Sequence, residues 1–291
     1  MSAPEVYQPH GVPGGNRRSR ILGGGGEEGG RAVVIALIST AVFFTVLIVL
    51  VLNSPGWVEV RRSFFNGRFF AESFPDIARR FLVNVQIFLI AEVVILALAL
   101  FIAVLRSLPG PVFFPIRLLA IAYTDFFRGV PTILVIYILG FGAPGLQLQG
   151  VPRSAFFWGI VALVLVYSAY VAEVYRAGIE AVHPSQVAAA RSLGLTRWKS
   201  LRFVVLPQAV RNVVPPLLND FIGLQKDSAL LALIGVLETF RQSQVDVAGS
   251  FNYTPYLATA LLFIVFTIPL ARLTDWLLSR ERARRQTGSA L

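Results

Sequence analysis

The sequence contains no cysteine and only two histidines among its 291 residues. The absence of cysteine excludes disulfide bonds, a thiol nucleophile and a cysteine-ligated metal. With the histidines confined to His10 and His183, neither a histidine metal cluster nor a Ser-His-Asp triad is expected. Charged residues are also scarce, at 14%, against about 25% in ordinary soluble domains. We therefore expect no catalytic residue, no metal site and no ordinary soluble domain.

Hydrophobic residues make up 55% of the chain and are concentrated in long runs. Spanning the hydrocarbon core of a bilayer takes about 20 mostly apolar residues. Six segments meet this requirement, some of them imperfectly, at residues 32–52, 81–105, 112–141, 155–174, 213–237 and 256–273. We therefore predict an all-α membrane protein with about six transmembrane helices.

The formal net charge of +10 would suggest a nucleic-acid partner in a soluble protein. Membrane proteins, however, concentrate lysine and arginine in their cytoplasmic loops. With six spans both termini lie on one side, and placing them in the cytoplasm brings most of the 26 Lys and Arg residues there as well. We predict a multi-pass membrane protein with cytoplasmic N- and C-termini and no nucleic-acid partner.

The parts of the chain outside the central spans divide by composition. Residues 1–31 are glycine-rich without apolar periodicity, which predicts a disordered cytoplasmic tail. Residues 32–53 predict an extra N-terminal transmembrane helix, because its apolar run exceeds the about 7–15 residues of a cleaved signal. Residues 54–80 mix aromatic residues and arginine, as an external amphipathic segment on the membrane surface would. Residues 281–291 predict a cytoplasmic tail.

Two predicted spans are interrupted by polar residues at mid-depth: the third carries YTDFFRGVP and the fifth carries PPLLNDFIGLQKDSALL. An ionised side chain at the bilayer centre costs at least about 2.5–3.5 kcal/mol, so such residues face a cavity or one another. In transporters, broken helices at mid-depth carry the substrate site. Asn84 and Gln86, near the outer end of the second span, are expected to line the entrance. The predicted substrate path comprises Glu92, Asp125, Arg128, Asn219, Lys226 and Asp227.

Structural interpretations of these charges stay open. Asp125 and Arg128 stand three residues apart and could pair with one another without contacting a substrate. The adjacent Lys226 and Asp227 could likewise form a neutralised structural pair. Glu92 could be a carboxylate of the packed interior or the partner of a substrate ammonium group.

The stretch PSQVAAARSLGLTRWKSLRFVVLP, residues 184–207, separates the fourth and fifth predicted spans on the cytoplasmic side. Ser185 is a plausible N-cap and Gly194 a natural helix stop. Thr196 can begin a second short helix, which Pro207 would end. The pattern predicts a short helix, a glycine and a second short helix, which is either a docking element or a surface loop with helical character.

This stretch resembles the EAA loop of bacterial ABC importer permeases, a cytoplasmic coupling helix that inserts into a groove of the ATPase subunit. The wider run from YVAEVYRAGIE to LQKDSAL, together with FRGVP, resembles the polar amino-acid branch of that family. The resemblance covers about residues 81–280, the predicted ABC importer transmembrane domain. It implies ATPase-coupling roles for Ala188, Ala189, Arg191, Gly194, Leu195 and Pro207.

Two departures from the family pattern are visible. The family loop normally opens with a glutamate, and Ala188 stands at the matching position. A glutamate three residues beyond a Ser185 cap would complete a capping box, so a local stabilisation is missing. The family core commonly has five spans, whereas this chain adds one at its N-terminus.

The resemblance implies a permease subunit of an ATP-driven importer in the bacterial plasma or inner membrane, which translocates a polar amino acid. The implied partners are two ABC ATPase subunits, a second permease copy or paralogue, an extracytoplasmic solute-binding protein and membrane lipid. No cofactor is expected on this chain, because no GxxxxGK[ST] phosphate-binding loop occurs in it. ATP and Mg would be bound by the partner subunits. The alternatives are an ion-coupled secondary transporter and a membrane-embedded lipid-modifying enzyme.

Overall fold

The computed structural model describes residues 27–288, with side chains from 30 to 280. Most of the predicted tail 1–31, and the side chains of the predicted tail 281–291, lie outside the described residues. Across the described part the chain is helical and contains no strand. The chain divides into two compact units, one up to Arg61 and the other from Arg62 onward.

The secondary structure consists of long and short helices joined by brief turns. In chain order the elements are α1 (Glu27–Leu52), α2 (Trp57–Phe64), α3 (Gly67–Ser107), α4 (Phe114–Gly129), α5 (Thr132–Tyr137), a π-helical turn (Ile138–Gly142), α6 (Ala143–Gly145), α7 (Ala155–Glu180), α8 (Pro184–Ser192), α9 (Arg197–Ser200), a second π-helical turn (Leu201–Val205), α10 (Leu206–Asp227), a 3-10 helix (Ser228–Ile234), α11 (Thr239–Ser250) and α12 (Thr254–Gly288).

The predicted external segment 54–80 is divided between two helices. Helix α2 ends at Phe64, and Asn66 then caps α3 by accepting hydrogen bonds from the N–H groups of Arg68 and Phe69. From there α3 continues into the second predicted span without interruption. An Asn at the N-cap therefore sets the start of the longest helix.

Four helical stretches among the described residues are long and apolar enough to cross a membrane, at Gly30–Leu52, Trp57–Ser107, Ala155–Glu180 and Thr254–Arg280. The pair formed by α4 and the helical stretch Thr132–Gly145 raises the number to five if it is one broken span. The six-span count stays a prediction. Helix α10 is not apolar enough to be included among them, because polar and charged residues interrupt its apolar sequence.

The third predicted span is broken, as its sequence indicated. Helix α4 ends at Gly129, and the next helical stretch leaves at an angle of 102°. Val130 is extended, with φ −95° and ψ 132°, and Pro131 is the N-cap of α5. A residue before proline is driven out of the helical region by the proline ring, so the GVP sequence places the bend here.

The fifth predicted span, residues 213–237, is not one continuous helix either. Helix α10 ends at Asp227, and Ser228–Ile234 forms a 3-10 helix. Gly235 then adopts φ +85°, a left-handed conformation that favours glycine, and ends the segment.

Helix α7 lies at the centre of the second unit, where it packs against α3, α4, α5 and α10. On α3 the core positions Ile87, Ala91, Ile95 and Ala99 recur at four-residue steps, and none is more than 1% exposed. Residues at this spacing share one helix face. Helix association in lipid depends on close van der Waals packing, and small residues permit it. The alternation of isoleucine and alanine therefore fits α3 closely to its neighbours.

Two glycines of α7 are required by close helix approach. A Cβ atom at Gly159 would lie 2.5 Å from Leu231 Cγ of the 3-10 helix. At the other end, a Cβ at Gly178 would lie 2.1 Å from Val213 Cγ1 of α10. Both distances are far inside van der Waals contact, so neither position accepts a larger residue without moving the facing element.

Near the N-terminal end of α7, a buried polar network joins α3 to the segment after α10. Asn84 donates to Ser228 Oγ at 3.0 Å and to Glu238 Oε2 at 2.8 Å, and accepts from Thr239 N–H at 3.1 Å. Burial raises the pKa of the Glu238 carboxyl, although hydrogen bonds from Phe240 N–H and Asn84 oppose this shift. Asn84 is only 1% exposed. The expectation that Asn84 lines an entrance is therefore wrong, and it holds helices together instead.

Candidate functional site

The first candidate site is built on α8, whose start differs from the sequence expectation. His183, not Ser185, is the N-cap: its Nδ1 accepts a hydrogen bond from Ser185 N–H at 3.2 Å, and Pro184 is the first helical residue. The third helical residue is consequently Gln186. A glutamate at the position of Ala188 would lie too far along the helix to complete a capping box. The inferred loss of a capping box at Ala188 is therefore wrong.

The end of α8 follows the prediction, but the end of the second short helix does not. Gly194 adopts φ +82°, and its N–H bonds to Arg191 O at 3.0 Å, so α8 stops there. Thr196 caps α9 through Lys199 N–H, as predicted. Pro207, however, lies in the first turn of α10 and does not end a helix, because the π-helical turn leads α9 directly into α10. Proline has no N–H to donate back along this continuous helical stretch, and the π-helical turn lies directly before it.

Helix α8 is fixed to the two neighbouring long helices. Val182, just after α7, forms a small buried cluster with Val205 and Ala209 at the start of α10, and Val187 of α8 packs against this cluster. Gln208 of α10 also donates a hydrogen bond to the side chain of Gln186. A displacement of α8 would therefore be transmitted to both α7 and α10.

The outer surface of α8 is small and open. Ala188, Ala189, Arg191 and Gly194 are exposed, whereas Leu195 is half-buried. Leu193 projects beside them with 83% of its surface exposed. A helix with alanine on its outer face and an exposed leucine at its end can enter a groove on another protein closely.

A second group of candidate residues lies between α3, α7 and α10. Tyr167 of α7 donates its hydroxyl hydrogen to Asp227 Oδ2 at 2.8 Å. Glu92 of α3 is half-buried and lies within electrostatic range of Asp220 on α10. Asp220 Oδ2 is buried without a hydrogen-bond partner among the side chains that the structure describes. Glu92, Asp220 and Asp227 together form a carboxylate cluster. This cluster can attract a cationic group such as an ammonium.

Three other predicted path residues are more exposed than the carboxylate cluster. Asp125, Asn219 and Lys226 are exposed on their helices. Within residues 30–280 neither the Asp125–Arg128 pair nor the Lys226–Asp227 pair comes within 4.0 Å. The two structural pairings left open by the sequence are therefore absent there.

Arg128 belongs to a third group, which is centred on Glu173. Arg106 Nη1 of α3 lies 2.8 Å from Glu173 Oε2, and Arg128 Nη1 of α4 lies 3.9 Å from the same oxygen. Arg176 of α7 pairs with the other carboxylate oxygen. Arg106 also donates to Thr124 Oγ1 at 3.0 Å. One carboxylate thus connects three helices through three guanidinium groups.

The sequence contains part of the signal for these groups. Asp220 stands on one polar stripe of α10 with Asn219, Lys226 and Asp227, and Glu173 stands three residues before Arg176, its partner on the same helix. Sequence reasoning missed Tyr167 and the contacts of Glu173 with Arg106 and Arg128, because these partners come from other helices.

Comparisons with known proteins agree on one family. Residues 112–283 match the family model described as a binding-protein-dependent transport system inner membrane component. The probable glutamine ABC transporter permease protein GlnM of Bacillus subtilis is 37% identical over 190 residues, which cover 63% of this chain and 84% of GlnM. The probable amino-acid ABC transporter permease protein YckA of the same organism is 33% identical over 215 residues, covering 73% and 90%. A crystal structure of an amino acid ABC transporter with histidines has a TM-score of 0.66 at 32% identity, covering 72% of this chain and 96% of that one.

Proposed function

Because the chain belongs to the family of binding-protein-dependent transport system inner membrane components, we propose that it is coupled to ATP hydrolysis through residues 184–207. The chain is a transmembrane permease subunit of an amino-acid ABC transporter. This assignment is favoured over an ion-coupled secondary transporter and over a lipid-modifying enzyme. The observation that carries the coupling proposal is the attachment of α8 to both α7 and α10.

The coupling acts mechanically. ATP-driven closure of the partner subunits moves α8 through its exposed residues Ala188 and Ala189. Since α8 packs on the end of α7 and the start of α10, the displacement reaches Tyr167 and Asp227 on those helices. The close approach of α7 and α10 at Gly178 supports this transmission. Access to the carboxylate cluster then alternates between the two sides of the membrane.

The substrate is a polar amino acid, and its zwitterion needs two kinds of partner. The carboxylate cluster of Glu92, Asp220 and Asp227 supplies the negative charge for the substrate ammonium. The substrate carboxylate is bound by a cation or by amide groups at the start of a half-helix; the candidates are Lys226, Arg128 and the N-terminus of α5. The low dielectric constant of the membrane interior makes each interaction stronger than it would be in water.

The complete importer contains further subunits. We infer two ATP-binding subunits on the cytoplasmic side, which hold ATP and Mg, and a second permease copy or paralogue. A solute-binding protein delivers the amino acid on the outer side. Both termini of this chain lie in the cytoplasm, together with α8.

The coupling proposal is tested by photocrosslinking, for which the cysteine-free sequence is a clean background. In Ala189→Cys a benzophenone maleimide is attached at the exposed face of α8, and the complex is irradiated in membranes. The expected product is a covalent adduct with the ATP-binding subunit. The same label at Leu148→Cys, an exposed position between α6 and α7, is expected to give no such adduct. An adduct at position 148, or none at position 189, would contradict the proposal.

A further inference from the structure

A cavity of about 490 Å³ lies between the end of α3 and the corner that joins α8 to α9. Five apolar residues form most of its wall: Pro109, Val187, Trp198, Leu201 and Val205. The polar lining comes from Ser107, Arg191, Arg197 and Ser200. The cavity therefore combines an apolar wall with two guanidinium groups.

The two arginines of the cavity have no anionic partner in the part of the chain whose side chains the structure describes. Within residues 30–280, no carboxylate oxygen comes within 4.0 Å of the guanidinium nitrogens of Arg191 or Arg197. Arg106 and Arg176, in contrast, are both held by Glu173. Guanidinium groups bind phosphate through paired, charge-assisted hydrogen bonds. An anionic ligand would supply the partner that Arg191 and Arg197 lack among the described residues.

Ser200 gives an independent indication of a ligand. It lines the cavity, is only 1% exposed, and its Oγ has no hydrogen-bond partner among the described residues. Buried hydroxyl groups are almost always hydrogen-bonded, because leaving one unpaired is costly. A phosphate oxygen in the cavity would accept a hydrogen bond from this hydroxyl.

The position of the cavity indicates where the anion comes from. Ser107 is the last residue of the membrane-spanning helix α3, so the cavity lies at the boundary between membrane and water. The adjoining π-helical turn presents Phe203, which is 62% exposed, with Arg202 placed 5.7 Å from its ring centre. Trp198 is 67% exposed. Tryptophan and basic residues at such a boundary contact lipid headgroups.

We propose that this cavity binds one anionic phospholipid, with the phosphate on Arg191, Arg197 and Ser200 and the glycerol and acyl carbons against the apolar wall. A free phosphate ion would leave that wall in contact with water, and a zwitterionic headgroup would place a second cation near the arginines. The bound lipid braces the α8–α9 corner against α3. The proposal rests on the membrane embedding of the chain and does not require coupling through α8.

The test is native mass spectrometry of the full-length chain in a neutral detergent, titrated with phosphatidylglycerol. The expected result is one tightly bound lipid, with no comparable binding of phosphatidylcholine and no displacement by soluble glycerol phosphate. In R191Q/R197Q the affinity for this lipid should fall about 25-fold, at about fivefold for each arginine lost. Ser200→Leu, which narrows the cavity without changing its charge, should also lose the lipid.

The matched control is K199Q/R202Q, which removes the same charge from the same segment but from residues that do not line the cavity. A neutral micelle has no charged surface, so this control should change the affinity less than about threefold.

Equal losses in both double variants would overturn the proposal, since they would indicate general attraction of anions. Displacement by glycerol phosphate would identify a site for soluble phosphate. Loss of the ATP-binding subunit from R191Q/R197Q with lipid binding unchanged would assign the cavity to that partner. The coupling proposal is tested separately, by the crosslinking experiment.

Discussion

At the scale of single residues, two carboxylates of this membrane protein, Asp227 and Glu173, are held by partners from other helices. Asp227 accepts a hydrogen bond from Tyr167, and Glu173 holds guanidinium groups from α3, α4 and α7. Ion pairing and hydrogen bonding offset the cost of keeping such groups inside a membrane. The surroundings of the two residues differ in charge, because three arginines lie around Glu173, whereas Tyr167, the partner of Asp227, also lies within electrostatic range of Asp220. The first is suited to hold helices together, and the second to receive a cation.

Asp227→Asn should lower amino-acid-stimulated ATP hydrolysis by about tenfold, since a hydrogen bond to a charged group contributes about 1.5–3 kcal/mol. The measurement uses the complete transporter in proteoliposomes with its solute-binding protein. Asp76→Asn, an exposed carboxylate whose side chain is 61% accessible, serves as the control and should be near wild type. Unchanged stimulation in Asp227→Asn would remove this residue from the substrate path.

Glu173→Gln should lower the free energy of unfolding by about 3 kcal/mol, because the part-buried Arg106 loses its carboxylate partner. Glu180→Gln is a matched control, because Glu180 also pairs with Arg176 but its side chain is 60% exposed. Exposed pairs contribute about 0–1 kcal/mol, so this variant should change little. The measurement is chemical unfolding in detergent, followed by circular dichroism. Similar losses in the two variants would show that Glu173 does not connect the three helices.

At the scale of elements, α7 has the largest role, because one end contacts the 3-10 helix and the other contacts α10. Gly159 and Gly178 permit these contacts, so the helix can approach both neighbours without a side chain between them. Helix α8 follows immediately after α7 and is packed against the start of α10. The separation between α7 and α10 therefore controls the attachment of α8.

Gly178→Ala should destabilise the protein by about 1–3 kcal/mol, because its Cβ would overlap with Val213 Cγ1. Combining it with Val213→Ala should restore most of the loss, since the second change removes the overlapping atoms. Gly249→Ala in α11 meets no atom within 4 Å and should stabilise its helix by up to about 1 kcal/mol. Unfolding midpoints of the four proteins check this prediction. A Gly178→Ala protein as stable as the Gly249→Ala variant would contradict the close contact.

At the scale of the whole molecule, the orientation in the membrane decides which surfaces meet which partners. The excess of lysine and arginine predicts that α8 faces the cytoplasm. Phe251, at the end of α11, belongs to a loop predicted to lie outside. Both Leu193 and Phe251 are exposed, at 83% and 88%, so the two positions can be compared directly.

Leu193→Cys and Phe251→Cys should react with a membrane-impermeant maleimide from opposite sides. We expect labelling at position 251 in intact spheroplasts, and labelling at position 193 only in inside-out vesicles. The cysteine-free wild-type chain is the background for both. Reaction of position 193 in intact spheroplasts would reverse the proposed topology and place α8 away from the ATP-binding subunits.

The residue order by itself determined the class of the protein, the broken third span and the end of α8. Each of these depends on local chemistry: apolar runs long enough for a bilayer, a proline after Val130, and a glycine at position 194 that takes a positive φ. The permease family was also readable from the stretch 184–207. Such features need no partner from a distant part of the chain, so a pattern in the sequence predicts them.

Only the tertiary structure decided which polar residues meet. It paired Arg128 with Glu173 rather than with Asp125, and Asp227 with Tyr167 rather than with Lys226. It also replaced Ser185 by His183 as the cap of α8. An ion pair or a buried hydrogen bond forms only where packing brings the two groups close together. The packing of α3, α7 and α10 brings together residues far apart along the chain, and their spacing in sequence does not reveal that proximity.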